Sequence, residues 1–142
     1  MTVPVFGQRE KEHTYRLRPA AYAVILDDAQ RVACVREESG LFLPGGGIEP
    51  GEDAARAVAR EAVEECGWTL EILGPLGAAI QFFHTKRGEA FELHASFFLA
   101  RVGAETAGAA QLETVWLPAV PQPPALYHEC HRWAVRQAAA RS

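Results

Sequence analysis

The chain reads as an α+β domain in which a mixed β-sheet is sandwiched between α-helices. Three observations predict this class. The run AAYAVIL, residues 20–26, is continuously apolar, so as a strand it must be covered on both faces. Residues 53–66 contain no internal Gly or Pro and place Ala55, Val58, Ala59, Ala62, Val63 and Cys66 at helical three- and four-residue spacing. The order along the chain is strands, a helix, more strands and a final helix, which puts helices on the two faces of one sheet.

Residues 1–19 are mixed and charged, and Pro19 closes them. Asp27-Asp28-Ala29-Gln30 is a turn, after which RVACVRE, residues 31–37, is expected to return as a hairpin partner. A polar loop, 37–40, leads to the short apolar run Leu41-Phe42-Leu43, stopped by Pro44. Residues 45–52 are glycine-rich and predict a loop. Asp53 caps the helix that follows, and Gly67 stands where a left-handed glycine ends one. Residues 68–80, broken by Gly74-Pro75, predict one or two strands, and FELHASFFLARV, 91–102, a long one. Residues 103–110 predict a loop, 115–117 a short strand, and 125–139 the last helix, with Leu126, Cys130 and Trp133 on its core face. Residues 1–142 thus form a single domain, without internal repeats.

With 49% hydrophobic and 23% charged residues the composition is that of an ordinary globular protein. A net charge of −4 lacks the basic footprint of a nucleic-acid or anionic-membrane binder. No stretch approaches the roughly 18 apolar residues of a spanning helix, and the N-terminus lacks a signal-peptide core. Cys34, Cys66 and Cys130 are odd in number and widely spaced, which argues against a disulfide framework and for a reducing, cytoplasmic setting.

Glu61, Glu64 and Glu65 raise a physical question. On a helix they share a face, where like charges repel by a few tenths of a kcal/mol per pair. They also crowd the negative end of the helix dipole. A hard divalent cation removes both conflicts, since Mg²⁺ takes oxygen ligands from carboxylates and substrate phosphates. Glu52 lies about two turns before the cluster, where a pair with Arg60 can hold the geometry. The glycines ahead of the helix allow close backbone approach to an ion or a phosphate.

Residues 46–68 resemble the Nudix box. Gly46, Glu52, Arg60, Glu61, Glu64, Glu65 and Gly67 all fall in its register; only the aliphatic positions depart, with the small Ala62 and the aromatic Trp68. The flanks VREESGLFLPGG and Glu113-Thr-Val-Trp116-Leu-Pro also resemble the family layout. The resemblance, to MutT-like Nudix hydrolases, implies a mixed sheet between helices with the box as loop–helix–loop. It implies hydrolysis of the phosphoanhydride bond in nucleoside diphosphate-X compounds: nucleoside triphosphates, dinucleoside polyphosphates or nucleotide sugars. The expected cofactor is Mg²⁺ or Mn²⁺. Glu61, Glu64, Glu65 and the Gly45 carbonyl would be its ligands, and Arg60 and Glu52 would orient them. Glu61, or a glutamate outside the box, would act as base; Glu113 is the first candidate outside, followed by Glu89 and Glu92. Arg36, Phe82 and Phe83 are candidate substrate contacts. The expected partner is a nucleotide-type small molecule, not a nucleic-acid polymer or a membrane, and a homodimer is compatible with this. The alternative is a catalytically idle Nudix-fold domain that binds or senses a nucleotide; the intact glutamate set argues against it. His128 and His131 lie three apart, but no second ligand cluster accompanies them to complete a zinc site.

Overall fold

The computed structural model describes residues 2–106 and 108–141; Ala107, inside the loop expected at 103–110, lies outside them. A five-stranded mixed sheet carries the fold. Its strands are β1 (Val5–Phe6), β2 (Tyr15–Ile25), β5 (Gly45–Gly47), β6 (Trp68–His84) and β7 (Ala90–Glu105), in the spatial order β1-β6-β7-β2-β5. β2 runs parallel to β7 and antiparallel to β5. A smaller antiparallel sheet joins β4 (Gly40–Phe42), β3 (Arg31–Glu37) and β8 (Glu113–Pro118).

The apolar run in β2 is buried from both sides, as its composition requires. Ala20, Tyr22 and Val24 pack toward helix α2 (Glu129–Ala140), with Cys130, Ala134, Val135 and Ala138. Ala21, Ala23 and Ile25 pack toward helix α1 (Ala54–Cys66), with Ala57 and Val58. Two-residue alternation along one strand therefore builds both cores.

Four local expectations are corrected. β3 does not pair along β2: the turn is closed just past β2 by a Leu26–Val32 bridge and a bond from the Asp27 amide to the Arg31 carbonyl, and β3 then turns away to pair β4 and β8. The glycine segment is not all loop, because Gly45–Gly47 forms the edge strand β5 on β2. Residues 103–105, expected in a loop, extend β7 to Glu105 along its ladder with β6, which is one strand, within the expected one or two, and absorbs Gly74-Pro75 in irregularities of that ladder. The last helix starts at Glu129. Residues before it are tied to β4 instead, through a Leu41–Leu126 bridge and a bond from the Tyr127 amide to the Leu41 carbonyl, so Leu126 joins the core from outside the helix.

Candidate active site

α1 begins and ends where its sequence directs. The Asp53 side chain accepts the Arg56 amide at 2.8 Å, and Gly67, at φ 73°, donates its N–H to the last-turn carbonyls of Ala62 and Val63. The helix buries Ala57, Val58, Ala62 and Cys66. It also buries Glu65, which is only 9% exposed.

β5 brings its backbone to this glutamate. The Ala23 amide bonds Pro44 and the Ile48 amide bonds Pro19, so alternation along the ladder turns the N–H and C=O of Gly45 and Gly47 away from β2. Both glycines are used on that outer edge. The Gly45 amide donates to Glu65 Oε1 at 3.0 Å, and the Gly47 carbonyl accepts Arg60 Nη2 at 3.1 Å. The Gly45 carbonyl faces the same way. A Cβ at Gly45 would collide with the Ala21 carbonyl, and one at Gly46 would stand 3.1 Å from the Glu61 carboxylate. Glycine here is a requirement of close approach.

Arg60 organises the acids. It forks onto Glu52, with Nε to Oε2 at 2.8 Å and Nη2 to Oε1 at 3.0 Å, and its Nη1 meets Glu61 Oε1 at 2.7 Å. The Glu64 carboxylate lies 3.5 Å from the same nitrogen. Hydrogen bonds from Arg60, and then from the Glu49 amide, hold the Glu52 carboxyl down at about 2. Glu52 and Glu61 in turn keep the guanidinium protonated more firmly than usual. Glu65 behaves oppositely. Burial raises its pKa well above the carboxylate range, the Gly45 amide opposes this, and the charges of Glu61 and Glu37 add to the rise. Glu37 is itself raised, by burial and by Glu61. Repulsion is thus concentrated between Glu61, Glu65 and Glu37, while Glu52 and Glu64 are turned to Arg60.

Glu37, Glu61 and Glu65 line a cleft of about 740 Å³. Glu61, Glu65 and Gly45–Gly47 stand on one side, and Phe42, Phe83, Tyr127 and His128 supply aromatic surface. Arg18, Lys86 and Arg87 bring positive charge. Among the sequence candidates, Glu61, Glu65, Gly45, Phe83 and Glu89 share the cleft, and Arg60, Glu52 and Glu64 flank it. Four candidates stand apart. Glu92 pairs with Arg9 at 2.9 Å and with His94 at 2.6 Å, outside the cleft. Arg36 and Glu113 pair with each other across β3 and β8 at 3.0 Å, both exposed, and Glu113 is the first residue of β8 rather than a loop residue. Phe82 packs against Tyr15 instead. Glu37, Phe42, Tyr127 and His128 were missed as site residues. Glu37 closes β3, and the other three reach the cleft only through the β4 contact that precedes α2. His128 is held neutral with a pKa of about 4, by burial first and then by Arg18 and Arg132.

A family model described as NUDIX domain matches residues 16–121. A Bacillus subtilis (strain 168) protein named "Putative 8-oxo-dGTP diphosphatase" is 36% identical over 59 residues, which span 40% of this chain and 40% of that protein. Among solved structures, a MutT NUDIX hydrolase from Burkholderia pseudomallei is 27% identical with a TM-score of 0.68, over 86% of this chain and 98% of that one. A NUDIX hydrolase from Nitrosomonas europaea shares the fold at 20% identity and a TM-score of 0.69, over 89% and 90% of the two chains.

Proposed function

The chain belongs to the Nudix family, and on that premise we propose that it hydrolyses a phosphoanhydride bond in a nucleoside diphosphate joined to another group, with Mg²⁺ or Mn²⁺ as its ion. The single observation that carries this reading is the buried Glu65 carboxylate, set against Glu61 and Glu37 and held by the Gly45 amide. Burying an acid among other acids is costly unless a cation joins them. The donor set is oxygen only and suits a hard ion. Gly46, without a Cβ, leaves room beside the Glu61 carboxylate.

Glu61, Glu65 and the Gly45 carbonyl would hold the ion, with Glu64 joining by leaving Arg60. When bound, such an ion neutralises phosphate charge and acidifies the attacking water. Arg60 gives up one nitrogen to Glu61 Oε1, so the second oxygen of Glu61 is left for the ion or for the proton of that water. Arg18, Lys86 and Arg87 meet the phosphates, and Phe83 and Tyr127 offer faces for a base. Names of relatives and fold neighbours, such as an 8-oxo-dGTP diphosphatase and a UDP-X diphosphatase, accord with a nucleotide substrate.

The test is release of phosphate, pyrophosphate or nucleoside monophosphate across nucleoside triphosphates, dinucleoside polyphosphates and nucleotide sugars, with Mg²⁺ and with EDTA. Metal-dependent cleavage of at least one class is expected. Equal rates in EDTA, or activity only on phosphomonoesters, would overturn the proposal.

A further inference from the structure

A second group of ligating side chains lies outside the cleft described above. Glu10, His13 and His84 each present one oxygen or ring nitrogen, and the three atoms all lie within 4.8 Å of one another. Glu10 and His13 come from the segment between β1 and β2, and His84 is the last residue of β6. His13 Nε2 stands 3.5 Å from Glu10 Oε2, and His84 Nε2 stands 3.9 Å from Glu10 Oε1. Two ligands of a tetrahedral zinc ion, each about 2.0–2.1 Å from the metal, are about 3.4 Å apart. The two distances run to different oxygens of Glu10, and the set of one atom per residue spans up to 4.8 Å, so rotation of the exposed Glu10 and His13 side chains is what draws the three donors together around an ion.

Neighbouring groups hold the arrangement. The imidazoles of His13 and His84 meet edge to face with centroids 4.5 Å apart. Tyr15 anchors the segment: its hydroxyl accepts the Glu10 amide and lies 3.2 Å from both the Gln8 carbonyl and His84 Nε2, so its one proton serves one of the two, and turning it to Gln8 frees the imidazole nitrogen for an ion. Arg9 extends the anchor through Glu92 on β7 at 2.9 Å.

We propose that Glu10, His13 and His84 form a second divalent-metal site, selective for a borderline ion such as Zn²⁺. Two imidazoles and one carboxylate are a zinc-type donor set, with a water as the fourth donor. The oxygen-only acids of the cleft prefer Mg²⁺ or Mn²⁺, so the two sites differ in the ion they take. The bound ion ties the N-terminal segment to the end of β6. The next residues, Thr85, Lys86 and Arg87, line the cleft, so the ion steadies one of its walls.

Cobalt(II) reports on such a site directly. The full-length protein, kept in excess Mg²⁺ to occupy the acidic cleft, is titrated with Co²⁺ and read by visible absorption, then challenged with Zn²⁺. One equivalent of Co²⁺ is expected, displaced by one of Zn²⁺. Glu65→Gln retains it, whereas His13→Ala and Glu10→Gln each weaken it by about tenfold or more. Both altered side chains are exposed, so circular dichroism and thermal melting of these variants should match the parent. Absence of bound Co²⁺ in Mg²⁺ would overturn the site. So would loss of binding in Glu65→Gln, or unchanged binding in both His13→Ala and Glu10→Gln.

Discussion

The two helices face each other across the same strand, yet they are built on different terms. α1 is specified locally: Asp53 caps it, Gly67 ends it, and an unbroken run of helix formers lies between. α2 is preceded at its N-cap by His128, which makes no side-chain cap bond, and its start depends on contacts with β4. Each buries polar groups beside the cleft, with opposite consequences. Glu65 on α1 sits against like charge, which a cation can resolve. On α2, His131 accepts the Leu43 amide on Nδ1 at 3.2 Å, which places its proton on Nε2, a nitrogen with no hydrogen-bond partner among the described residues. Its ring packs 4.3 Å from that of Tyr22, and burial holds it neutral. α1 carries stress that chemistry can use, whereas α2 carries structure.

If that division holds, the largest effect comes from Glu65→Gln. Glutamine keeps an oxygen for the Gly45 amide but loses the charge, so turnover should fall about a hundredfold or more, several kcal/mol of transition-state stabilisation. The melting temperature should hold or rise, because repulsion with Glu61 and Glu37 is relieved. Turnover within a factor of two of the parent would break the comparison, since α1 would then be as structural as α2.

Arg60→Ala comes next and should lower activity and stability together. It removes the fork on Glu52 and the bond to Glu61, and leaves both partly buried acids without their cation. A loss of about 1–3 kcal/mol in urea unfolding is expected. Arg60→Lys should recover part of it, because an ammonium restores charge but not the two-pronged geometry.

The contrast also predicts a two-sided pH profile for the metal-free protein. Glu65 is raised, so its contribution is fully present below its unfolded value near 4.5 and is lost as pH rises through the higher folded value. His128 and His131 are lowered; their contribution is present above 6.5 and is lost as pH falls, for His128 through about 4. Stability measured in EDTA should therefore decline on both sides, each group adding a slope of at most about 1.4 kcal/mol per pH unit. Glu65→Gln should flatten the alkaline side alone. A variant that flattened the acid side instead would reverse the assignment of roles.

Legibility followed the same division. The caps of α1, the box register and the Arg60–Glu52 pair could be read because each lies within a few helical turns. The double burial of β2 was legible because a run without polar residues has one explanation. What escaped depended on distant partners. β3 left β2 because β4 and β8 pair with it, and Gly45–Gly47 became a strand because β2 offered an edge. Tyr127 and His128 entered the cleft because Leu41 holds the chain before α2. No local pattern encodes those meetings.

The smallest effect is expected at Glu113, and it tests how far the chemistry is confined to α1 and the glycine strand. Position relative to the box made this residue the first candidate for an additional base. Its carboxylate instead meets Arg36 at 3.0 Å, with both side chains more than half exposed, and neither lines the cleft. An exposed pair of this kind contributes about 0–1 kcal/mol, because solvent screens it and two long side chains lose freedom in forming it. Glu113→Gln and Arg36→Ala should therefore each change stability by less than about 1 kcal/mol. Turnover with Mg²⁺ should stay within a factor of two of the parent. A fall in kcat for Glu113→Gln at unchanged KM, together with a shifted pH–rate profile, would show that β8 swings its first residue into the cleft when substrate is bound. The reacting carboxylates would then span both sheets, and α1 would be one contributor among several.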